Sequence, residues 1–332
     1  MRILITGASS LMGVGLVELL VRRGDRVRTF QRSPASNREW AREAEHLVGD
    51  VQDGDAVRRG MRGCDAVVHL AAKVGVVGRR RDYLAVNVGG TENVLAAATA
   101  NNVARVVHVS SPSVAHSGSA IIGRGADPPL TAHPGAWYAE TKAISELRAL
   151  MTNSSDTGVV VVRPHLVWGP GDTQLVGRVV DRAASGRLVL VGGGRALIDT
   201  TYVDNAVSAL AAAVDAVEPG ARCAGSSYVI SNGEPRPIRE LVAGICVAAG
   251  VESHARSVPL AVSRPIGSLV ERIWRATRRT DDPPITRFLA DQLGTAHWFD
   301  PRPAREDLSW RPQITIDEGL ARLAAWYQDQ TR

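Results

Sequence analysis

The sequence predicts an α/β protein: a doubly wound parallel sheet followed by a smaller C-terminal α+β region that supplies most of a substrate pocket. Three observations predict it. Strand-like and helix-like runs alternate through the first half of the 332-residue chain. Several strand-like runs, such as "DAVVHLAA" (65–72) and "GVVVVRP" (158–164), are continuously apolar, as a sheet covered on both faces requires. After Arg163-Pro164 the segments become mixed and are broken by "GPGD", "GGGR", "GEPRP" and "DDPP".

Strands are expected at Ile3–Thr6, Val27–Gln31, His46–Val48, Ala66–Leu70, Val106–Ser110 and Val159–Arg163. Helices are expected at Met12–Arg23, Asp55–Met61, Asn87–Ala100 and Trp137–Met151. These spacings give successive βαβ units, and hence a parallel sheet. Residues 1–165 form the expected nucleotide domain and 166–332 the substrate region. Within the latter, residues 204–231, a helix near Asp204–Val217 and a strand near Ser227–Ser231, are expected to fold back onto the first domain.

Composition narrows the function. With 45% hydrophobic residues the chain can bury a substantial core, and no apolar run approaches the ~20 residues of a membrane span. It enters a strand at once, without a charged and then apolar leader, so a cytoplasmic location is expected. Cys64, Cys223 and Cys246 are scattered without metal-ligand spacing, and no metal is expected. The net charge of +5 comes from dispersed arginines, which argues against nucleic acid. Lys73 and Lys142 are the only lysines.

The opening "MRILITGASSLMGVGLVELL" reads as the strand–turn–helix of a Rossmann-type dinucleotide site. Gly7 suits the tight turn and Gly13 lets the helix approach the strand. The N–H groups and dipole of the helix start, at Ser9, Ser10, Leu11 and Met12, face a pyrophosphate. Ser10 stands where a middle glycine is usual; its Cβ keeps the backbone farther away, while its hydroxyl can donate to phosphate. The second strand ends in Gln31-Arg32 rather than the acidic residue that binds a ribose 2′-hydroxyl. Arg32 can pair with a 2′-phosphate, so NADPH (NADP+) is expected over NADH, although stacking of Arg32 on adenine would suit either cofactor. Asp50 and Val51 are placed near the adenine, and Ala71, Ala72 and Lys73 along the cofactor's path.

"WYAETK" places Tyr138 and Lys142 four residues apart, on one helical face. An ammonium near a phenol lowers its pKa, which would let Tyr138 exchange a proton with a carbonyl or alcohol oxygen. "VVHVSSPSV" ends the preceding strand with hydroxyls; Ser111 is expected to steady the reacting oxygen, with Ser113 as the alternative. Asn87, polar within an apolar helix, either makes a buried structural hydrogen bond or supports the site.

Taken together, "TGASSLMG", "HLAAK", "VNVGGTENV", "VSSPSV", "YAETK" and "RPHLVWGPGD" resemble the extended short-chain dehydrogenase/reductases. The chain is similar to their 3β-hydroxysteroid dehydrogenase/isomerase branch. "WGPGDTQLV", "DTTYVDNA", "YVISNGEP" and "ITRFLADQLGTAHWF" point more narrowly to bacterial 2-alkyl-3-oxoalkanoate reductases of olefin and β-lactone biosynthesis. The resemblance covers essentially the whole chain. It implies a Ser–Tyr–Lys site at Ser111, Tyr138 and Lys142, and Pro164 and Val167 beside the nicotinamide. It also implies an apolar, lipid-like substrate with a 3-oxo group and a homodimer through the helices of Asn87 and Tyr138. A sterol dehydrogenase is the alternative activity.

On the substrate side, Val114–Trp137 is a connection long enough for a lid. It carries His116, Arg124 and His133, and His165 follows Pro164; any of these could meet a substrate carboxylate, His116 and His165 being the chosen candidates, and the alternative for each is a solvated or structural residue. Residues 259–279 carry an apolar stripe (Val262, Ile266, Leu269, Val270, Ile273, Trp274, Thr277) with charges opposite. The stripe is expected to pack on the second domain; the alternatives are an acyl tunnel, other enzymes of lipid biosynthesis, or an anionic membrane.

Overall fold

A computed structural model of the chain describes residues 1–34, 42–75, 78–132, 136–277 and 286–330. Seven strands form one sheet: β1 (Arg2–Thr6), β2 (Arg26–Gln31), β3 (Glu45–Val48), β4 (Ala66–His69), β5 (Arg105–Val109), β6 (Gly158–Pro164) and β7 (Ser226–Ile230). Their spatial order is β7–β6–β5–β4–β1–β2–β3, parallel throughout. The winding reverses between β1 and β4. In such sheets ligands gather beyond the carboxyl ends of the strands at that reversal.

The period of two along each strand divides the core. Ile3, Ile5, Val68, Val107 and Val160 face the helices Leu11–Arg22 and Val203–Ala216. Leu4, Val67, Val106, Val159 and Val161 face Gly54–Gly60, Gly90–Ala100 and Trp137–Met151. Within residues 204–231, the strand β7 lies at the edge of the N-terminal sheet. β7 pairs with β6 from Ser226↔Val160 to Ile230↔Pro164. The helix before it lies so close to Leu11–Arg22 that a Cβ on Gly15 would come 2.9 Å from Val207.

Three expectations change. The helix expected from Asn87 begins earlier, as Arg80–Tyr83, runs through a π-helical stretch at Leu84–Gly89, and continues as Gly90–Ala100. The wider π turn places Asn87 inward, where its amide is fully used. The 114–137 connection is not a free lid: Ile121–Arg124 is a strand pairing with His297–Phe299, in a small sheet completed by Leu197–Ile198 and Arg236–Pro237. Ile121 is buried there against Val229 and Phe299, and a buried side chain pins the loop.

The third change concerns the helix Leu260–Ala276. The face it packs against Arg287–Gly294 holds its small residues, Ser263 and Gly267. A Cβ on Gly267 would lie 2.5 Å from the Arg287 nitrogen, so the two segments meet backbone to backbone. Val262, Ile266, Leu269 and Ile273 consequently point to solvent, not into the second domain. Residues 278–279, the end of the expected stripe, lie outside the described residues, as does His133.

Candidate active site

The Trp137–Met151 helix sets Tyr138 and Lys142 one turn apart on a common face, below the carboxyl end of β5. Lys142 is buried (3% exposed) and its ammonium donates to the Val109 carbonyl at 2.5 Å. Burial lowers its pKa to about 8, with the Glu146 carboxylate pulling the other way, so it keeps its charge at neutral pH. The Tyr138 phenol is pushed up by burial; a hydrogen bond with Ser111 opposes that shift only in part. The expected acidification of the phenol by Lys142 is therefore absent, because the cation is turned to a backbone carbonyl. The phenol is held protonated, the form a proton donor needs.

Ser111 stands just past β5 and caps the short helix Pro112–Ala115. Its hydroxyl accepts from Ser113 Oγ at 2.9 Å and is a hydrogen-bond partner of the Tyr138 phenol. The two candidate serines are thus consecutive members of one hydroxyl chain ending on the phenol, rather than alternatives.

At the opening turn Gly7 has φ +71°, and a Cβ there would lie 2.7 Å from the Ala71 nitrogen. A Cβ on Gly13 would lie 2.7 Å from both Ala8 Cα and Gly7 O. Both positions require glycine, as the cradle demands. Ser10 is the N-cap, and its Oγ accepts from Gly13 N at 3.1 Å. It therefore takes up one helix-end donor as well as offering its own. Leu11 and Met12, the first helical residues, have no intrahelical acceptor for their N–H groups. Gln31 donates to Ser33 O, and its buried Oε1 has no partner, which suits a ribose hydroxyl. Arg32 is exposed just beyond β2. These residues fit a dinucleotide.

The remaining positions divide. Asp50 spends its carboxylate on the Gln52 backbone, and Val51 is packed under Gly90. Ala71 is held to Thr6 by its N–H at 3.2 Å. Ala72 is half-buried, and the Lys73 ammonium lies 5.3 Å from the centre of the Tyr83 ring. Asn87 bonds both backbone groups of Lys73 and the Thr141 hydroxyl, tying the loop after β4 to the Tyr138 helix. The buried structural hydrogen bond, one of its two expected roles, is made. Pro164 ends β6, and Val167 begins a short strand beside Thr201–Tyr202.

His116 and His165 are buried rather than solvated. His116 Nδ1 lies 3.2 Å from His297 Nε2, and His165 Nδ1 lies 2.5 Å from Asp199 O. Burial pushes His165 down to about 4 and His297 to about 3, so both are neutral at pH 7. Arg124 is exposed and pairs with Asp127.

Several features escaped the sequence reading. His297 joins His116 from far along the chain, and no local pattern marks it. Leu166, between His165 and Val167, has φ +43°, a left-handed conformation uncommon for a branched side chain. Beneath Lys142, His69 bonds Thr6 and Thr91, and His108 faces Ser145. Burial, reinforced by the Lys142 charge, lowers the pKa of both histidines, His69 to about 3. Glu146, one further turn along the Tyr–Lys face, pairs with Arg163; the i, i+4, i+8 spacing was the available signal.

A parallel sheet with this glycine turn at its switch point and a Tyr–Lys helix beside the end of β5 defines an extended short-chain, nicotinamide-dependent oxidoreductase. The chain belongs to the 3-beta hydroxysteroid dehydrogenase/isomerase family, whose model matches residues 4–261. It is 44% identical to a 2-alkyl-3-oxoalkanoate reductase of Stenotrophomonas maltophilia, over 98% of this chain and 99% of that one. It is 35% identical to a 2-alkyl-3-oxoalkanoate reductase of Shewanella oneidensis, over 97% and 85%. Among solved structures it resembles the dTDP-glucose 4,6-dehydratase DesIV of Streptomyces venezuelae with NAD bound, with TM-score 0.75 and 25% identity over 99% of this chain and 97% of that one.

Proposed function

We propose that the protein reduces the 3-oxo group of a long-chain 2-alkyl-3-oxoalkanoic acid, with NADPH, to the 3-hydroxy acid. The observation that carries the chemistry is the hydroxyl chain Ser113–Ser111–Tyr138, with a buried cation one turn away. The substrate class is supported by the two relatives of that name, which match over nearly the whole chain.

Gly7, Gly13, Ser9, Ser10 and the N–H groups of Leu11 and Met12 would hold the pyrophosphate, and Gln31 and Arg32 the adenosine end. Bound there, the reduced nicotinamide supplies hydride. Tyr138, protonated at neutral pH, gives its proton to the oxygen that becomes the alcohol. Ser111 donates to the same oxygen and steadies its growing charge. Lys142, its ammonium turned to the Val109 carbonyl, would hold the nicotinamide ribose, and the phenolate left behind is reprotonated from solvent. His116, His165 and His297 form a polar end to the site, with His165 and His297 neutral at pH 7, suited to a carboxyl group. A homodimer through the Gly90–Ala100 and Trp137–Met151 helices belongs to this reading.

A substrate panel tests it: 2-alkyl-3-oxo acids of graded length, their thioesters, and sterols, each with NADPH and NADH or the oxidised forms. The long-chain keto acid with NADPH should give the highest kcat/KM. Preference for NADH would overturn the cofactor assignment. A sterol oxidised faster than any keto acid is reduced would favour the hydroxysteroid dehydrogenase reading, which the family match supports.

A further inference from the structure

The Leu260–Ala276 helix is packed the opposite way round from an ordinary amphipathic helix. Its small residues, Ser263 and Gly267, are buried against the neighbouring helix. Of its large apolar residues, Leu260, Val270 and Trp274 are half-buried, whereas Val262, Ile266, Leu269 and Ile273 are 45%, 44%, 56% and 44% exposed. Their spacing of four, three and four places them on one line along the helix. A soluble protein gains nothing from turning such a stripe to water, whereas scattered single exposures are ordinary.

The exposed charge within the stripe is basic. Arg272 is exposed between Leu269 and Ile273. Glu271, the sole acid of the helix, accepts from the Arg287 backbone N–H. Arg264 joins the helix to the candidate site: it pairs with Asp291 at 2.6 Å and donates to Gly118 O at 3.2 Å, in the loop that carries His116.

We infer that the Val262–Ile266–Leu269–Ile273 face docks on an anionic lipid surface. Four apolar side chains in a line on one helix, with Arg272 among them, are suited to lying in the headgroup region with the axis parallel to the membrane. A second copy is a poorer occupant. Self-association of this stripe would bring Arg272 against the same exposed charge, without an exposed acid on the helix to meet it. The inference rests partly on the proposed long-chain substrate, which would itself partition into bilayers; the docked helix would then hold the loop of Ser113 and His116 beside its source.

Vesicle flotation without substrate tests the docking separately from the chemistry. The full chain should float with phosphatidylcholine–phosphatidylglycerol vesicles and not with phosphatidylcholine alone, and raised salt should weaken binding. The double variant Ile266→Glu, Leu269→Glu should lose about tenfold in bound fraction, and Arg272→Glu should weaken binding less. Both alter exposed positions and should keep a native dinucleotide-binding curve. Absence of flotation, or flotation indifferent to the double variant, would overturn the inference. So would light scattering showing an oligomer that the double variant dissociates, since the stripe would then be covered by another copy. A chain that floats but reduces no keto acid would leave the docking intact and overturn the substrate.

Discussion

Arg163 and Glu146 form a fully enclosed ion pair: Nη2 lies 2.5 Å from Oε1, and the two side chains are 1% and 0% exposed. Glu146 also accepts from Ser110 at 2.6 Å and Ser227 at 2.7 Å, and Arg163 donates to the Asp127 carbonyl. One carboxylate thus ties the Tyr138–Lys142 helix to residues at the ends of β5, β6 and β7. Removing one partner leaves a buried charge uncompensated. Glu146→Ala should cost about 3–5 kcal/mol in urea unfolding, and Ser227→Ala only about 1 kcal/mol. Equal losses from the two would show that the pair does not organise these elements.

Lys142 is buried charged, and its folded pKa of about 8 lies below its ordinary value of 10.5. Between those values the unfolded chain binds more protons, so the stability of the cofactor-free protein should rise as pH goes from about 8 to 10.5. Below pH 8 the full cost of burial is present. Lys142→Met should raise the urea midpoint at pH 7 and flatten this rise, while abolishing turnover. Reduction by the wild type should fall above about pH 8, as the cation is lost.

The buried histidines act at the acid end. His69, His165 and His297, at about 3, 4 and 3, are depressed from 6.5, so their contribution is present above pH 6.5 and lost as pH falls through their folded values. Asp199, raised to about 6 chiefly by burial, works in the opposite direction between 3.8 and 6. His108, held well below 6.5 by burial, acts in the same direction as these three, and four groups against one predict net loss of stability from pH 6.5 downward. His297→Gln should reduce the slope of urea midpoint against pH; an unchanged slope would remove His297 from the account.

Much of the fold was legible because it depends on period and spacing. The Trp137–Met151 helix and the six early strands fall where expected, within a residue or so at each end. The site was legible where chemistry is local: Gly7 and Gly13 in one turn, Tyr138 and Lys142 on one helix. What stayed hidden depends on partners distant in sequence. Periodicity gave the stripe of 259–279 but not its direction, which Ser263 and Gly267 decide by admitting a backbone. The direction of the Lys142 ammonium depends on where the Val109 carbonyl points, and His297 is positioned by a strand paired with Ile121–Arg124.

The glycine turn makes its own prediction. Gly7→Ala puts a Cβ at φ +71° and 2.7 Å from backbone, so dinucleotide binding by calorimetry should be lost. Ser10→Ala removes a cap worth about 1 kcal/mol of stability and should weaken dinucleotide binding severalfold. Unchanged affinity in Ser10→Ala would mean that its hydroxyl serves only the helix.

The central claim is that Tyr138 delivers the proton. Single-turnover reduction of a long-chain 2-alkyl-3-oxo acid by Tyr138→Phe, with dinucleotide affinity measured on the same sample, tests it most directly. The account predicts a rate lower by at least about a thousandfold with affinity nearly unchanged. A variant that reduces the keto acid at close to the wild-type rate would contradict it.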